Sequence, residues 1–122
     1  MTDIPITNRA DARPGSRLLV VPSFGARRVI HELPMPVAAC PVSRNPVSGT
    51  VRVAYMPNGS AIEVVSLHEA LAWACSGAVG APRSVEDLAS WLKNEAHLAV
   101  GRCSVTLDLM VLPGPQRLVV RR

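Results

Sequence analysis

A chain of 122 residues, of which 48% are hydrophobic and 18% charged, has the size and composition of one globular domain. Its one Phe, one Tyr and two Trp leave the core to aliphatic side chains, and no apolar run reaches the ~20 residues of a membrane span. The net charge of +4 comes almost wholly from arginines scattered along the chain, so direct binding of nucleic acid is not predicted.

The cysteines and histidines do not form a recognisable metal or disulfide pattern. Cys40, Cys75 and Cys103 are an odd set without a Cys-x-x-Cys pair, which disfavours a disulfide framework and a cysteine-rich zinc site. A reducing cytoplasm is therefore the predicted setting, and the N-terminus lacks the apolar core of a secretion signal. The three histidines lack the spacing of ligands, so no metal is predicted.

The first half of the chain has the pattern of strands around a proline-rich loop. Residues 1–16 are polar and are expected to form a flexible arm ahead of a single domain over 17–122. Apolar runs predict strands over 17–21 and 26–33, and four prolines then predict a long loop before a strand over 50–56. The turn Pro57-Asn58-Gly59 predicts a hairpin, with 61–65 as its returning strand.

Two helices and two strands are predicted to follow. Ser66 and Glu69 have the spacing of a capping box, which places the start of the first helix at Ser66. Ser84 opens the second helix, which Gly101 ends. Strict alternation predicts a strand over 103–112, and a last strand covers 117–121. Helices on one face of an antiparallel sheet make an α+β domain.

The segment Ala39-Cys40-Pro41-Val42-Ser43-Arg44-Asn45-Pro46 places a cysteine at the start of a rigid polar turn before a strand. A thiol in such a turn can be partly exposed and reactive, whereas a core thiol is inert. Cys75 and Cys103 lie inside element patterns and are expected to be structural.

These residues resemble a known family. The succession of strand, Tyr-x-Pro-Asn turn, strand, paired helices and two strands is similar to the tunnelling fold (T-fold). Within that superfamily, Cys40-Pro41-Val42-Ser43 followed by Pro46 resembles the Cys-Pro-x-Thr/Ser-x-x-Pro-Asp signature of the 7-cyano-7-deazaguanine reductases, the QueF group. The segment Glu63-Val64-Val65-Ser66-Leu67 resembles the one that follows their hairpin.

The resemblance implies a nitrile chemistry in which Cys40 is the nucleophile and forms a covalent thioimide with a 7-deazapurine. Reductase members then deliver hydride from NADPH, whereas archaeal relatives add an amine and use no nicotinamide. Glu63, Ser66 and Glu86 are the positions expected to bind the purine-like substrate. The resemblance also implies a ring-shaped homo-oligomer with its sites between subunits, because open sheet edges must be paired or covered.

The sequence departs from the family at three places. Val47 stands where the family has the acid that protonates the nitrile nitrogen, and Ala81-Pro82 stands where it has a His-Glu pair that anchors the purine. Glu86 lies one turn beyond that pair. Val65 and His68 replace both lysines of the cofactor segment, which puts the use of NADPH in doubt. His31 and Glu32, before the proline loop, are candidates to replace the missing acid.

Three functions remain open on this basis. The first is a divergent QueF-like enzyme that acts on 7-cyano-7-deazaguanine, reductively or by amine addition. The second is a T-fold subunit without catalysis that binds a purine or supports assembly. The third is a T-fold enzyme for another pterin or purine, which the absence of that group's zinc and histidine ligands disfavours.

Overall fold

A computed structural model describes residues 11–12, 17–39, 46–111 and 114–121. Helices and antiparallel strands make an α+β domain, as the element pattern predicts. In chain order the elements are β1 (Asp11–Ala12), β2 (Leu19–Pro22), β3 (Val29–Ala39), β4 (Pro46–Tyr55), β5 (Ser60–Ile62), α1 (Val64–Ala74), α2 (Val85–Val100), β6 (Cys103–Val111) and β7 (Gly114–Arg121).

The strands form two antiparallel sheets, one with the order β3-β4-β6-β7 and one with the order β1-β2-β5. The predicted hairpin between residues 50–56 and 61–65 is therefore wrong. Both long edges of β4 are occupied, by β3 and by β6, so β5 pairs with β2 instead. The turn Pro57-Asn58-Gly59 carries the chain from one sheet to the other.

Strand β3 is longer than the sequence predicts and includes residues expected to form the proline-rich loop. It continues through Pro34 and Pro36 to Ala39, and β4 begins at Pro46. Proline lacks the N–H that an inner strand must donate on both sides, so it is tolerated at a sheet edge. β3 is an edge strand, which explains how two prolines fit within it.

Gly49 allows β4 and β6 to approach each other closely. A Cβ atom at this position would lie 2.0 Å from the carbonyl oxygen of Asp108, in the neighbouring strand. Gly49 pairs with Leu109 on that side and with Met35 on the other, next to the register shift between Met35 and Ala38. Only glycine fits this contact without moving the backbone.

Helix α1 begins earlier than predicted, and the capping box at Ser66 is wrong. Glu63 is the N-cap, and its carboxylate accepts hydrogen bonds from the N–H groups of Val65 and Ser66, both at 2.8 Å. Ser66 lies inside the first turn, where its buried hydroxyl donates to the Glu63 carbonyl at 2.8 Å and accepts from the Leu19 N–H at 3.0 Å. This contact joins α1 to β2.

Helix α2 confirms the predicted boundaries. The Ser84 hydroxyl accepts a hydrogen bond from the Asp87 N–H at 3.0 Å, and Gly101 ends the helix with a φ of 84°. Glu86 and Asp87 lie in the first turn, where the positive end of the helix dipole stabilises carboxylates.

The core lies between the helices and one face of the β3-β4-β6-β7 sheet. Helix α2 packs on β6 and β7, and α1 packs on β3. Alternate residues of β6 face the helices, which confirms the predicted alternation. Aliphatic side chains dominate, and the largest that are fully buried are Leu18, Ile62, Leu67, Leu71, Leu92, Leu107, Val51, Val53 and Val105.

Two charged residues of α2 are also buried. Lys93, the only lysine of the chain, is 6% exposed, and its carbonyl oxygen lies 3.7 Å from the Cys103 sulfur. Glu95 accepts a hydrogen bond from the Arg17 N–H at 2.5 Å. The Arg17 guanidinium lies 3.7 Å from the centre of the Trp73 ring, which itself packs against Trp91. The start of the domain is thus attached to the seam between the two helices.

Within the described part of the chain, no helix has the length and apolar character needed to cross a bilayer.

Candidate functional site

The proposed nucleophile, Cys40, lies outside the described residues, together with residues 41–45. The structure does define the ends of the segment that contains it. Ala39 at the end of β3 pairs with Pro46 at the start of β4, so the segment connects two adjacent strands.

Val47, at the position of the family's acid, is part of the core. It pairs with Ala38 across the two strands and is 3% exposed. An ionised carboxylate at this position would lose its hydration without an obvious cation to replace it. The valine at this position therefore suits its apolar environment, whereas the family's acid would not.

Glu63 and Ser66, both predicted to bind substrate, have structural partners. Each oxygen of the Glu63 carboxylate accepts a backbone N–H of the first turn of α1. The Ser66 hydroxyl both donates and accepts, to Glu63 and from Leu19. Both side chains are used to begin α1 and to hold it against β2.

Glu86 and the pair Ala81-Pro82 lie near the start of α2 but differ in their surroundings. Ala81 and Pro82 line an open cavity of about 620 Å³ between the end of α1 and the start of α2, which we call the interhelix hollow. Its lining residues are 74–85 and Leu88. Glu86 is exposed and is not one of these lining residues. The structure thus brings the Ala81-Pro82 position, but not the Glu86 side chain, to the wall of a concave site.

A second concavity, of about 350 Å³, lies between β3 and the start of α1, and we call it the β3–α1 groove. Its polar members are His31, Glu32 and His68, and its other lining residues are Ile30, Leu33, Val64 and Leu67. The groove therefore brings together His31 and Glu32, the candidate replacements for the acid, with His68, which stands at a cofactor-lysine position.

Tyr55, which the sequence did not single out, lies behind this groove. Its hydroxyl accepts a hydrogen bond from the Ile62 N–H at 2.7 Å and lies 2.9 Å from His31 Nε2. Burial lowers the pKa of His31, and burial also raises the pKa of Tyr55 despite the opposing hydrogen bond from Ile62. Both side chains are therefore held in their neutral forms. The sequence feature that could have identified Tyr55 is its place as the sole tyrosine, at an inward-facing position at the end of a predicted strand.

The structure separates His31 and Glu32 from the Cys40 segment of the same chain. His31 and Ala39 both belong to β3, and eight residues at the rise of an extended strand span ~26 Å. The hypothesis that one of them replaces the missing acid stays a prediction, and in a site between subunits the acid would come from a second copy.

Cys75 and Cys103 have the character of structural thiols. Burial raises the pKa of both, and the Lys93 ammonium opposes this only in part at Cys103. A raised pKa reduces the thiolate fraction on which nucleophilic attack depends. Among the described residues no cluster of three or more His, Cys, Asp or Glu side chains could hold a metal ion.

No protein-family model and no curated protein matches the sequence. The structure is similar to the crystal structure of the archaeosine synthase QueF-Like in its apo form, with a TM-score of 0.64 and 20% sequence identity. The similarity covers 80% of this chain and 94% of that one. At this identity the comparison shows the fold, so the domain has the α+β tunnelling fold of that synthase.

Proposed function

We propose that the chain is a QueF-like enzyme that adds its Cys40 thiol to the nitrile of a 7-deazapurine, with 7-cyano-7-deazaguanine as the substrate. The observation that carries this proposal is the fold shared with an archaeosine synthase over most of both chains. The Cys-Pro-Val-Ser segment supports it, because it connects β3 to β4 in a protein of that fold.

The proposed reaction needs no oxidant or reductant. The Cys40 sulfur bonds to the nitrile carbon while one π bond of the C≡N group breaks and the thiol proton moves to the nitrogen, which gives a thioimide. An amine then adds to the same carbon, and the thiol departs with a proton as an amidine forms. Each step is an addition or elimination, so covalent catalysis divides one difficult addition into two easier ones.

The residues of this chain do not fit the NADPH-dependent branch of the chemistry. Val65 and His68 occupy the two lysine positions, and Val65 uses its N–H in the cap of α1. An apolar side chain offers nothing to a dinucleotide phosphate, which arginine or lysine normally binds. We therefore propose amine addition rather than reduction.

We expect the proposed reaction to be slow because Val47 replaces the acid that protonates the nitrile nitrogen in the family. Val47 is buried, and His31 and Glu32 are ~26 Å along β3 from the Cys40 segment. Loss of a positioned acid reduces a rate by roughly 10²–10⁴-fold. We propose that the thiol proton passes through water, in a site that lies between subunits of a cytoplasmic homo-oligomer.

Intact-mass spectrometry with 7-cyano-7-deazaguanine tests this proposal. We expect an adduct equal to the whole nitrile on the unmodified chain and on Cys75→Ala, and none on Cys40→Ala. Free ammonia, supplied by an ammonium salt at mildly alkaline pH, should then discharge the adduct and release an amidine, whereas NADPH should leave it unchanged. An adduct that survives Cys40→Ala, or no adduct after prolonged incubation, would contradict the proposal.

The second candidate is a T-fold subunit that binds a purine without catalysis. The burial of Val47 and the capping role of Glu63 favour it, because both remove groups that the family uses on its substrate. In this case calorimetry should show reversible binding of 7-cyano-7-deazaguanine that is unchanged in Cys40→Ala, with no change in protein mass.

A further inference from the structure

The turn formed by residues 23–26 holds a phenylalanine in an unfavourable position. Ala26 N–H donates to the Ser23 carbonyl at 3.1 Å, and Phe24 and Gly25 have φ values of 53° and 79°. Turns with two left-handed central residues favour Asn-Gly, because a Cβ atom is disfavoured at such angles. Phe24, the only phenylalanine of the chain, is also 91% exposed. Neither the turn geometry nor packing against the described residues accounts for it.

The surroundings of Phe24 are basic. Arg27 and Arg28 follow it after Gly25 and Ala26, and both are exposed. The turn is fixed in place because Ser23 N–H donates to the Gly59 carbonyl, in the connection that follows β4, at 3.1 Å. We call residues 23–28 the Phe24 turn. It presents an aromatic ring with two positive charges on a rigid support.

The interhelix hollow has the complementary character. Alanine, glycine, proline and valine make up most of its wall, and Val79 at its rim is fully exposed. A volume of about 620 Å³ admits a phenyl ring, since a cavity of ~150 Å³ already holds benzene. Arg83 is the one charged residue of the wall, and Glu86 and Asp87 are exposed just after the wall residues at the start of α2.

The Phe24 turn cannot reach the hollow of its own chain, because the two lie at opposite ends of α2. The hollow is at the N-terminus of the helix, and its 16 residues span ~24 Å to Gly101. Beyond Gly101, Cys103 pairs with Tyr55, and the connection after Tyr55 carries Gly59, which bonds Ser23. Only a second molecule can bring the ring and the cavity together.

We propose that the Phe24 turn of one copy docks into the interhelix hollow of a second copy. The ring is buried against the small residues of the hollow, and Arg27 and Arg28 face Glu86 and Asp87. The contact joins two different surfaces, so it is heterologous and joins copies head to tail. The proposal rests on the turn, the hollow and their charges, and not on the proposed chemistry.

Sedimentation velocity over a range of protein concentrations tests this contact with two complementary variants. Phe24→Asn removes the ring and supplies the residue that the turn favours. Ala78→Trp fills the hollow at an exposed position and leaves the turn intact. We expect either variant alone to have at most half the mass of the unmodified assembly. Mixed, they should form a 1:1 complex, since the mixture holds one intact turn and one intact hollow per pair.

Charge reversal and stability measurements complete the test. Arg27→Glu with Arg28→Glu should weaken the association at least tenfold, and Glu86→Arg with Asp87→Arg on the partner copy should restore it. Phe24→Asn should keep or raise the Tm, which separates lost association from lost folding, and Leu98→Ala is the control for removal of an exposed apolar side chain. Unchanged mass in Phe24→Asn, or no complex on mixing, would overturn the proposal.

Discussion

Tyr55 connects the two sheets through one buried hydroxyl group. It belongs to β4 in the four-stranded sheet, accepts a hydrogen bond from the Ile62 N–H of β5 in the other sheet, and contacts His31 of β3. The hydroxyl also shares a hydrogen bond with His31 Nε2, and the tautomer of the neutral imidazole decides which of the two groups donates. A single side chain therefore links three strands, β3, β4 and β5, through its hydroxyl group.

We expect Tyr55→Phe to lower the free energy of unfolding by about 1–3 kcal/mol, because the buried Ile62 N–H loses its acceptor. Urea denaturation followed by tryptophan fluorescence measures the change. His31→Leu, which removes only the second partner, is the control and should cost less. Equal losses in the two variants would show that the Ile62 contact is not the important one.

The stability of the fold should depend on pH through His31. Burial lowers its folded-state pKa below the ordinary value of 6.5, so the unfolded chain binds a proton more readily than the folded one. The stabilising effect is fully present above pH 6.5 and is lost as the pH falls from 6.5 through the folded pKa. Urea titrations at several pH values should show this fall, and it should be smaller in His31→Gln. An identical slope in the variant would refute the assignment.

At the scale of elements, the two helices show when a capping signal can be interpreted from sequence. At α2, Ser84 is the residue that both the sequence and the structure assign to the cap. At α1, Ser66 and Glu63 are three residues apart, and either could begin a helix. Glu63 is the N-cap because its two carboxylate oxygens accept hydrogen bonds from two N–H groups of the first turn. The Ser66 hydroxyl instead accepts a hydrogen bond from the Leu19 N–H of β2. The decisive partner is distant in sequence.

We expect Glu63→Ala to destabilise the chain by ~1 kcal/mol, the usual cost of a lost N-cap. Glu69→Ala, which removes the glutamate of the predicted capping box, should have almost no effect, since Glu69 is exposed and is not the cap. Thermal melts of the two variants make the comparison. A larger loss in Glu69→Ala would restore the interpretation based on sequence.

At the scale of the molecule, local sequence patterns predicted where strands and helices occur better than they predicted which strands pair with each other. The alternation of β6 gave its inward face correctly, because burial on one side imposes period two on the sequence. The hairpin after β4 was wrong because a turn signal does not reveal that β4 is already flanked on both sides. In the candidate site, the role of Cys40 stays a prediction from its motif, and the structural roles of Glu63 and Ser66 could not be predicted because they depend on contacts with β2 and the helix backbone.

The attachment of the first strand region to the helices is a whole-molecule contact that can be tested. We expect Arg17→Ala to lower the free energy of unfolding by ~0.5–1 kcal/mol, since the guanidinium no longer lies over the Trp73 ring. Tryptophan emission should shift at the same time. Arg102→Ala, which removes another exposed arginine, is the control, and an equal effect there would contradict a specific contact.

Because Lys93 is buried and is the chain's one lysine, its rate of acylation reports how often helix α2 opens. With 6% of the residue exposed, an acylating reagent reaches its ammonium group only when α2 separates from the sheet. The rate of acylation at this position therefore depends on how often the core opens, and not on collisions of the reagent with the protein surface. Its dependence on urea would distinguish a local detachment of α2 from unfolding of the whole domain, at a single atom that needs no engineered label.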